Sequence, residues 1–305
     1  MKQERIGMDL TDEDRRRIAE YRAHLDKYPH PSVTADIIAV RPARIEPETG
    51  NWRENRKFAL ELLLIRRGQW PHEGCWALPG GFIRPDESVE EGARRELREE
   101  TALAAHPLIA VGTFSKPGRD MRAWIVSNAF VSVYRIGEGC NVKGGDDAAS
   151  ACWLRVESAA MDEPVRGKDP CRVRGFRIRF REGTKPAFTL QGTYAPGEFD
   201  GGRVLSVKAN PLAFDHAEII ATAFLRLFAF DPLKLAFYFL PEKFSLPDFI
   251  DVYQFLTNNS VDPANIPNFR RRLTATRNPL LEVCPGEVAD REGRGHAPAQ
   301  LYRRR

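Results

Sequence analysis

The chain has 305 residues, room for about two domains at roughly 150 residues each. Apolar side chains make up 42% and charged ones 29%, which excludes a disordered or fibrous chain. Forty-six basic against forty-two acidic side chains leave +4, too small an excess to argue by itself for a nucleic-acid or membrane partner.

The opening MKQERIGMDLTDEDRRR is charged throughout and lacks the apolar core of a secretory signal. Residues 11–27 read as a short amphipathic helix capped by Thr11, with Glu13 early and Lys27 late, stopped by Pro29 and Pro31. Residues 1–31 are thus an N-terminal helical segment ahead of a domain spanning 32–230. The β-branched, apolar run 32–40 predicts a buried strand, and the polar stretch 41–57 a surface loop. The run 58–68 reads as the next strand, although its leucines leave a helix open. Helical character follows over 82–103, then strands over 123–136 and 151–156. Residues 157–210 alternate short runs with turn residues and predict extra β-hairpins, a β-rich insertion of unassigned purpose. A helix is expected over 214–228 with Asp215 at its start, and a domain boundary at Asp231-Pro232. The apolar window 219–240 contains Arg226, Asp231, Pro232 and Lys234, so it reads as two buried elements, and no membrane contact is expected. Residues 231–284 form the second domain, and the polar tail 285–305 is expected to be disordered. Five scattered cysteines without a C-x-x-C pair fit free thiols in a reducing cytoplasm. No internal repeat is visible.

The chemistry concentrates in GGFIRPDESVEEGARRELREETAL, residues 80–103. Gly80 and Gly81 precede a turn at Pro85 and Asp86, and the helix starts near Ser88. Glu96, Glu99 and Glu100 are spaced three and four apart, which places them on neighbouring rows of one helix face, while Leu97 can face the core. Crowded carboxylates repel one another and raise each other's pKa. A hard divalent cation, Mg²⁺ or Mn²⁺, reverses that penalty, since it takes oxygen ligands and keeps water and phosphate oxygens in its shell. Arg95 can brace a neighbouring carboxylate. Glutamate runs of this kind are by themselves commonly solvated helix faces.

The glycine bend at a fixed distance before them changes the weight. The pattern resembles the Nudix box, Gly-x5-Glu-x7-Arg-Glu-(apolar)-x-Glu-Glu-x-Gly-(apolar), read here as Gly81, Glu87, Arg95, Glu96, Leu97, Glu99, Glu100, Ala102 and Leu103. Ala102 departs from the family glycine, and alanine accommodates a left-handed helix end less well. The resemblance implies an α/β fold, an α/β/α sandwich around a mixed sheet. It also implies Mg²⁺- or Mn²⁺-dependent hydrolysis of a nucleoside diphosphate linked to another group. It makes Glu96, Glu99 and Glu100 the metal ligands, with one of them or a nearby carboxylate orienting water, and Arg95 and Glu87 supporting. In this family a later acidic loop residue often assists, so Asp146 and Asp147 are candidates, although Asp and Gly are also ordinary turn formers. Arg119, Asp120 and Arg122 lie in a loop where arginines suit phosphate oxygens; a plain charged turn is the other reading.

HPSVTADIIAV, ALPGGFIRPDES, GRDMR, ANPLAFDHAEII and LPEKFSLPDFIDVYQFL followed by NFRRRL are similar to one Nudix subgroup. Its members join a Nudix domain to a C-terminal winged helix-turn-helix. Some regulate NAD metabolism, releasing operator DNA when ADP-ribose fills the pocket; others retain ADP-ribose pyrophosphatase activity. The residues of the second domain support the same reading. Phe249, Ile250, Val252, Tyr253 and Leu256 recur at helical spacing after a possible Ser245 cap. A second helix over 265–276 would be capped by Asn268, bury Phe269 and Leu273, and turn Arg270, Arg271 and Arg272 outward, as a major-groove helix requires. Yet residues 211–305 hold twelve Lys or Arg against eleven Asp or Glu, a net of +1, so DNA contact rests on local clustering. The alternative is a module that buttresses a homodimer. Hydrolysis of ADP-ribose leads because its residues are complete; a ligand-responsive repressor is the alternative, and one chain can hold both.

Overall fold

Strand β1 (Ser32–Ile45) divides its side chains between two cores. Ala35, Ile37 and Ala39 meet Ala93 and Leu97 on one side, while Ile38 and Val40 join Phe224 on the other. That period of two belongs to a strand buried on both faces. The computed structural model describes residues 11–45, 57–145, 148–169, 171–197, 202–208, 211–257, 271, 273–274, 280–289 and 299–305.

β2 (Lys57–Arg67) pairs antiparallel with β1, and β6 (Ile125–Val133) pairs parallel with it, so the sheet is mixed. Two short strands lie off the main path: β3 (Trp76–Ala77) on β2 and β4 (Gly80–Phe82) on β1. β5 (Leu108–Phe114) forms one edge beside β6. Beyond β2 run β7 (Ala148–Pro164), β8 (Arg174–Glu182), β9 (Lys185–Ala195) and β10 (Arg203–Lys208). The order is β10-β9-β8-β7-β2-β1-β6-β5. The described strands between 157 and 208 therefore continue the main sheet as an antiparallel meander. Helix α2 (Val89–Thr101) covers one face and α3 (His216–Ala229) the other, giving the expected three layers.

Ser88 starts α2 through a capping box: it accepts the Glu91 N–H at 3.2 Å and donates its own N–H to the Glu91 carboxylate at 2.7 Å. The helix ends at Ala102, which takes the left-handed conformation (φ 61°) and bonds Arg98 O at 2.9 Å. The family glycine is absent, but the helix end that it would make is kept. α1 (Asp12–Arg22) has its own box between Thr11 and Asp14.

Two expectations are corrected, and one strand is added. The loop expected from 41 begins later, because β1 runs on to Ile45; Arg41 pairs with Glu61 of β2 at 2.8 Å and so tolerates the strand. β5, which the sequence reading leaves unassigned although Leu108 to Val111 are all apolar, is an edge strand with Ile109 46% exposed. The tail after 285 is not disordered in its described part. β13 (Ala299–Arg304) lies between β11 (Lys243–Ser245) and β12 (Leu281–Ala289), buries Tyr302 and pairs Arg303 with Glu282. Two neighbouring strands supply the hydrogen bonds that its polar composition does not advertise.

Asp231 caps α4 (Pro232–Phe239) by accepting the Leu233 N–H at 2.9 Å, with Pro232 in the first turn. Ser245 caps α5 (Leu246–Leu256) in the same way. Phe239, Phe244, Phe249 and Tyr302 belong to the same buried cluster as Phe224 of α3, so one core runs from the sheet into the C-terminal module. Leu273 is buried and Arg271 exposed; Asn268, Arg270 and Arg272 lie outside the described residues. No helix among the described residues is long and apolar enough to cross a membrane. Because Phe224 is fully buried within this cluster, Phe224→Ala is expected to cost about 3–5 kcal/mol in urea unfolding, with sheet and C-terminal module losing structure together.

Candidate functional site

The glycine bend and α2 face each other across a cleft of about 480 Å³. Gly80 and Gly81 belong to β4, which pairs with β1 so tightly that a side chain would not fit. A Cβ on Gly80 would lie 2.8 Å from Asp36 Oδ1, and one on Gly81 2.5 Å from the Glu96 carboxyl carbon. The Gly80 N–H donates to Glu100 at 2.9 Å. Bend and helix are thus joined at their acidic residues.

Arg95 organises the acids of α2. Its Nη2 and Nε bond Glu87 at 2.6 and 3.0 Å, and its Nη1 bonds Glu96 at 2.5 Å and Glu99 at 2.9 Å. Nη2 also donates to Phe82 O at 2.9 Å. Hydrogen bonds from Arg95, then the Arg84 N–H, hold Glu87 down to about 2, despite some desolvation. Glu87 in turn raises the Arg95 guanidinium, which stays charged. Burial pushes Glu96 up against the pull of Arg95. Glu100 is pushed up to about 8 by burial and by the neighbouring Glu96 and Asp36 charges, against the Gly80 hydrogen bond. Leu97 is fully buried beneath them.

The opposite wall holds Asp36, Arg119, Asp120 and Arg122. Arg119 is tied to Asp215, and Arg122 to Asp120 at 2.8 Å. Burial acts to raise Asp120, but Arg122 outweighs it and holds the carboxyl below its usual range. Asp36 is raised by burial, with the Ser127 hydroxyl and Arg119 opposing. Asp146 and Asp147 lie outside the described residues. The chain just before them passes the end of α2, where Gly145 N–H donates to Glu100 O at 3.2 Å. Asp36, Arg67, Arg84, Phe214 and His216 also line the cleft and escape the sequence reading. Only the alternation of Asp36 within an apolar strand could have flagged one of them. A second cavity of about 740 Å³, lined by Phe214, Asp215, Glu218, Arg177 and Arg179, contains none of the α2 carboxylates.

No three His, Cys, Asp or Glu side chains among the described residues stand together as an ion-ready group. Glu96 and Glu99 each give one oxygen to Arg95, and Glu100 turns to Gly80. The donor chemistry nevertheless suits a hard cation: carboxylates only, with Glu96 and Glu100 raised first by burial and then by neighbouring negative charge, a cost that a cation would relieve. Glu100 also makes stability depend on pH. Its folded value near 8 exceeds the unfolded value near 4.5, so the folded chain keeps a proton that the unfolded chain has lost. Stability should therefore fall as pH rises from about 4.5 to about 8, and Glu100→Gln should flatten that slope in urea unfolding without divalent cations.

Comparison with known proteins agrees with this geometry. The NUDIX domain family matches residues 49–176, and the NrtR DNA-binding winged helix domain family matches residues 236–304. An ADP-ribose pyrophosphatase of Methanocaldococcus jannaschii is 36% identical over 137 residues, 45% of this chain and 67% of that protein. The ADPR responsive transcriptional repressor NtrR of Acinetobacter baylyi is 23% identical over 283 residues, 90% of this chain and 83% of that protein. The crystal structure of a MutT/nudix family protein from Enterococcus faecalis shares the fold, with a TM-score of 0.57 at 22% identity over 98% of this chain and 100% of that one. A glycine bend, an arginine-braced acidic helix and a C-terminal winged helix thus occur together in a chain that belongs to the Nudix family.

Proposed function

We propose that the chain hydrolyses the diphosphate of ADP-ribose, or of a similar nucleoside diphosphate derivative, with a divalent cation. The observation that carries this reading is the complete set Glu96, Glu99 and Glu100 lining one cleft with Arg95 and the Gly80–Gly81 bend. Glu96, Glu99 and Glu100 would hold Mg²⁺ or Mn²⁺. Such a cation screens phosphate charge and makes bound water more nucleophilic. Arg95, anchored on Glu87, keeps Glu96 and Glu99 close while each leaves its second oxygen clear of Arg95, that of Glu99 lying 3.6 Å from Arg84. Arg119 and Arg122 offer cations to phosphate from the facing wall, with Asp120 orienting Arg122. Gly81, lacking a side chain, lets the Glu96 carboxylate approach the bend. Asp146 and Asp147 remain candidates for a late acidic role. Similarity to the ADP-ribose pyrophosphatase of Methanocaldococcus jannaschii supports ADP-ribose as the substrate.

A second reading rests on a separate observation, the winged-helix match at 236–304 together with a repressor relative spanning 90% of this chain. In it, residues 32–230 form the nucleotide-binding domain and the DNA-binding module begins at 231. A cytoplasmic homodimer would present two recognition helices to operator DNA, with Asn268, Arg270, Arg271 and Arg272 at the contact.

With Mg²⁺, ADP-ribose should yield AMP, and Glu99→Gln or Glu100→Gln should lower kcat at least about 100-fold; absence of turnover on any nucleoside diphosphate would leave the regulator reading alone. A mobility shift with the gene's own upstream DNA should be reversed by ADP-ribose. Arg271→Ala with Arg272→Ala should weaken that shift, and unchanged binding would remove the recognition-helix assignment.

A further inference from the structure

Asp215 and His216 open α3, yet neither does the usual work of a helix start. Asp215 stands at the N-cap position, where an Asp carboxylate ordinarily accepts a helix N–H, and makes no such bond. Both its oxygens take Arg119 instead: Nη2 donates to Oδ1 at 2.6 Å and Nε to Oδ2 at 2.8 Å. The Arg119 side chain is 5% exposed, so this fork fixes it against the cleft wall. The preceding residue, Phe214, has φ 49°, which a bulky aromatic residue adopts rarely. A strained turn and an uncapped helix start therefore coincide where Asp215 meets Arg119.

His216 makes the second connection. It is buried, and its Nδ1 accepts the Leu78 N–H at 2.9 Å. Burial holds the ring neutral, at about 3. The ring proton then sits on Nε2, 3.6 Å from Asp36 Oδ1. Leu78 leads through Pro79 into Gly80, whose N–H holds Glu100.

We propose that Asp215 and His216 are positioning residues for the diphosphate. Asp215 aims Arg119 at the phosphates, and His216 fixes the bend that holds Glu100. A guanidinium clamped through two nitrogens cannot sample other rotamers, so less order has to be imposed when a ligand arrives. This assignment rests on the hydrolase reading, and both residues act through others.

The test combines calorimetric binding of ADP-ribose without divalent cation and steady-state kinetics with Mg²⁺, on full-length chains. Asp215→Asn should weaken binding and raise KM about tenfold, with a smaller change in kcat. In an Arg119→Ala background the same substitution should add nothing, because its route runs through Arg119. His216→Phe keeps the bulk and removes the acceptor, and should lower kcat about tenfold. His216→Asn places an oxygen near the Nδ1 position and should restore most of that loss, which a generic packing role would not produce. If Asp215→Asn fails to fold, Asp215→Glu, which moves the carboxylate outward, is measured with the same expectation. Unchanged affinity for the Asp215 variant, or an equal loss without Arg119, overturns its role. His216→Asn as impaired as His216→Phe overturns the second link. A wild type that binds ADP-ribose without cleaving it overturns the hydrolase reading while the binding cycle still decides the Asp215 assignment. A wild type that does neither overturns both.

Discussion

Negative charge confined beside a backbone bend is the constraint that the site must satisfy. Glu96, Glu99, Glu100 and Asp36 all face one cleft, and like charges at this spacing disfavour ionisation of their neighbours. The chain answers with a hierarchy among its carboxylates. Glu87 is held down to about 2 and stays ionised, so it serves as the fixed anchor for Arg95. Arg95 then reaches Glu96 and Glu99 from a position that neither of them must maintain. Glu100 receives the Gly80 N–H instead, and it is the acid whose proton is held up to about 8. The most buried of the three helix glutamates is therefore the one that Arg95 does not serve.

Backbone proximity makes this arrangement possible. Acidic side chains can lie against a loop only where no side chain intervenes, which accounts for Gly81 beneath Glu96. The same reasoning extends to two glycines outside the bend. A Cβ on Gly92 would meet Ile83 at 2.5 Å and Glu87 at 2.9 Å, so this glycine lets the anchor carboxylate settle on the helix. A Cβ on Gly145 would lie 2.5 Å from Glu99 O, which brings a later loop against the end of α2.

Much of this was legible in the sequence because it is local. The spacing of Glu96, Glu99 and Glu100, the helix start near Ser88 and the break at Asp231-Pro232 each depend on residues within a turn or two. What escaped depends on distant partners. Asp36 reads as one polar residue in an apolar strand, and only the fold sets it beside Ser127, 91 positions away. Arg119 reads as a loop cation open to phosphate, while its fork on Asp215 spans 96 positions. β13 was missed for the same reason: its order comes from strands β11 and β12, and its own polar composition argues for a solvated tail. Local rules located the acids; tertiary contacts decide which of them is anchored, shared or desolvated.

Those contacts also bind the two halves of the chain. His216 touches the bend through Leu78, and thirteen residues later the same helix ends at Ala229, two positions before the Asp231 cap of α4. So short a connection leaves little slack, and the packing removes more, since Phe224, Phe239 and Phe249 share one buried cluster. Arg44 at the end of β1 pairs with Asp248 of α5 at 3.3 Å, a polar contact at the rim of the same junction. A module on a flexible tether could respond to the cleft only through the tether itself. Here α3 is a rigid element with its first turn in the cleft wall and its other end beside the winged helix. A shift at the first turn of α3 would either be absorbed by the turn at Phe214, whose φ is 49°, or pass along α3 into a core that tolerates few alternative packings.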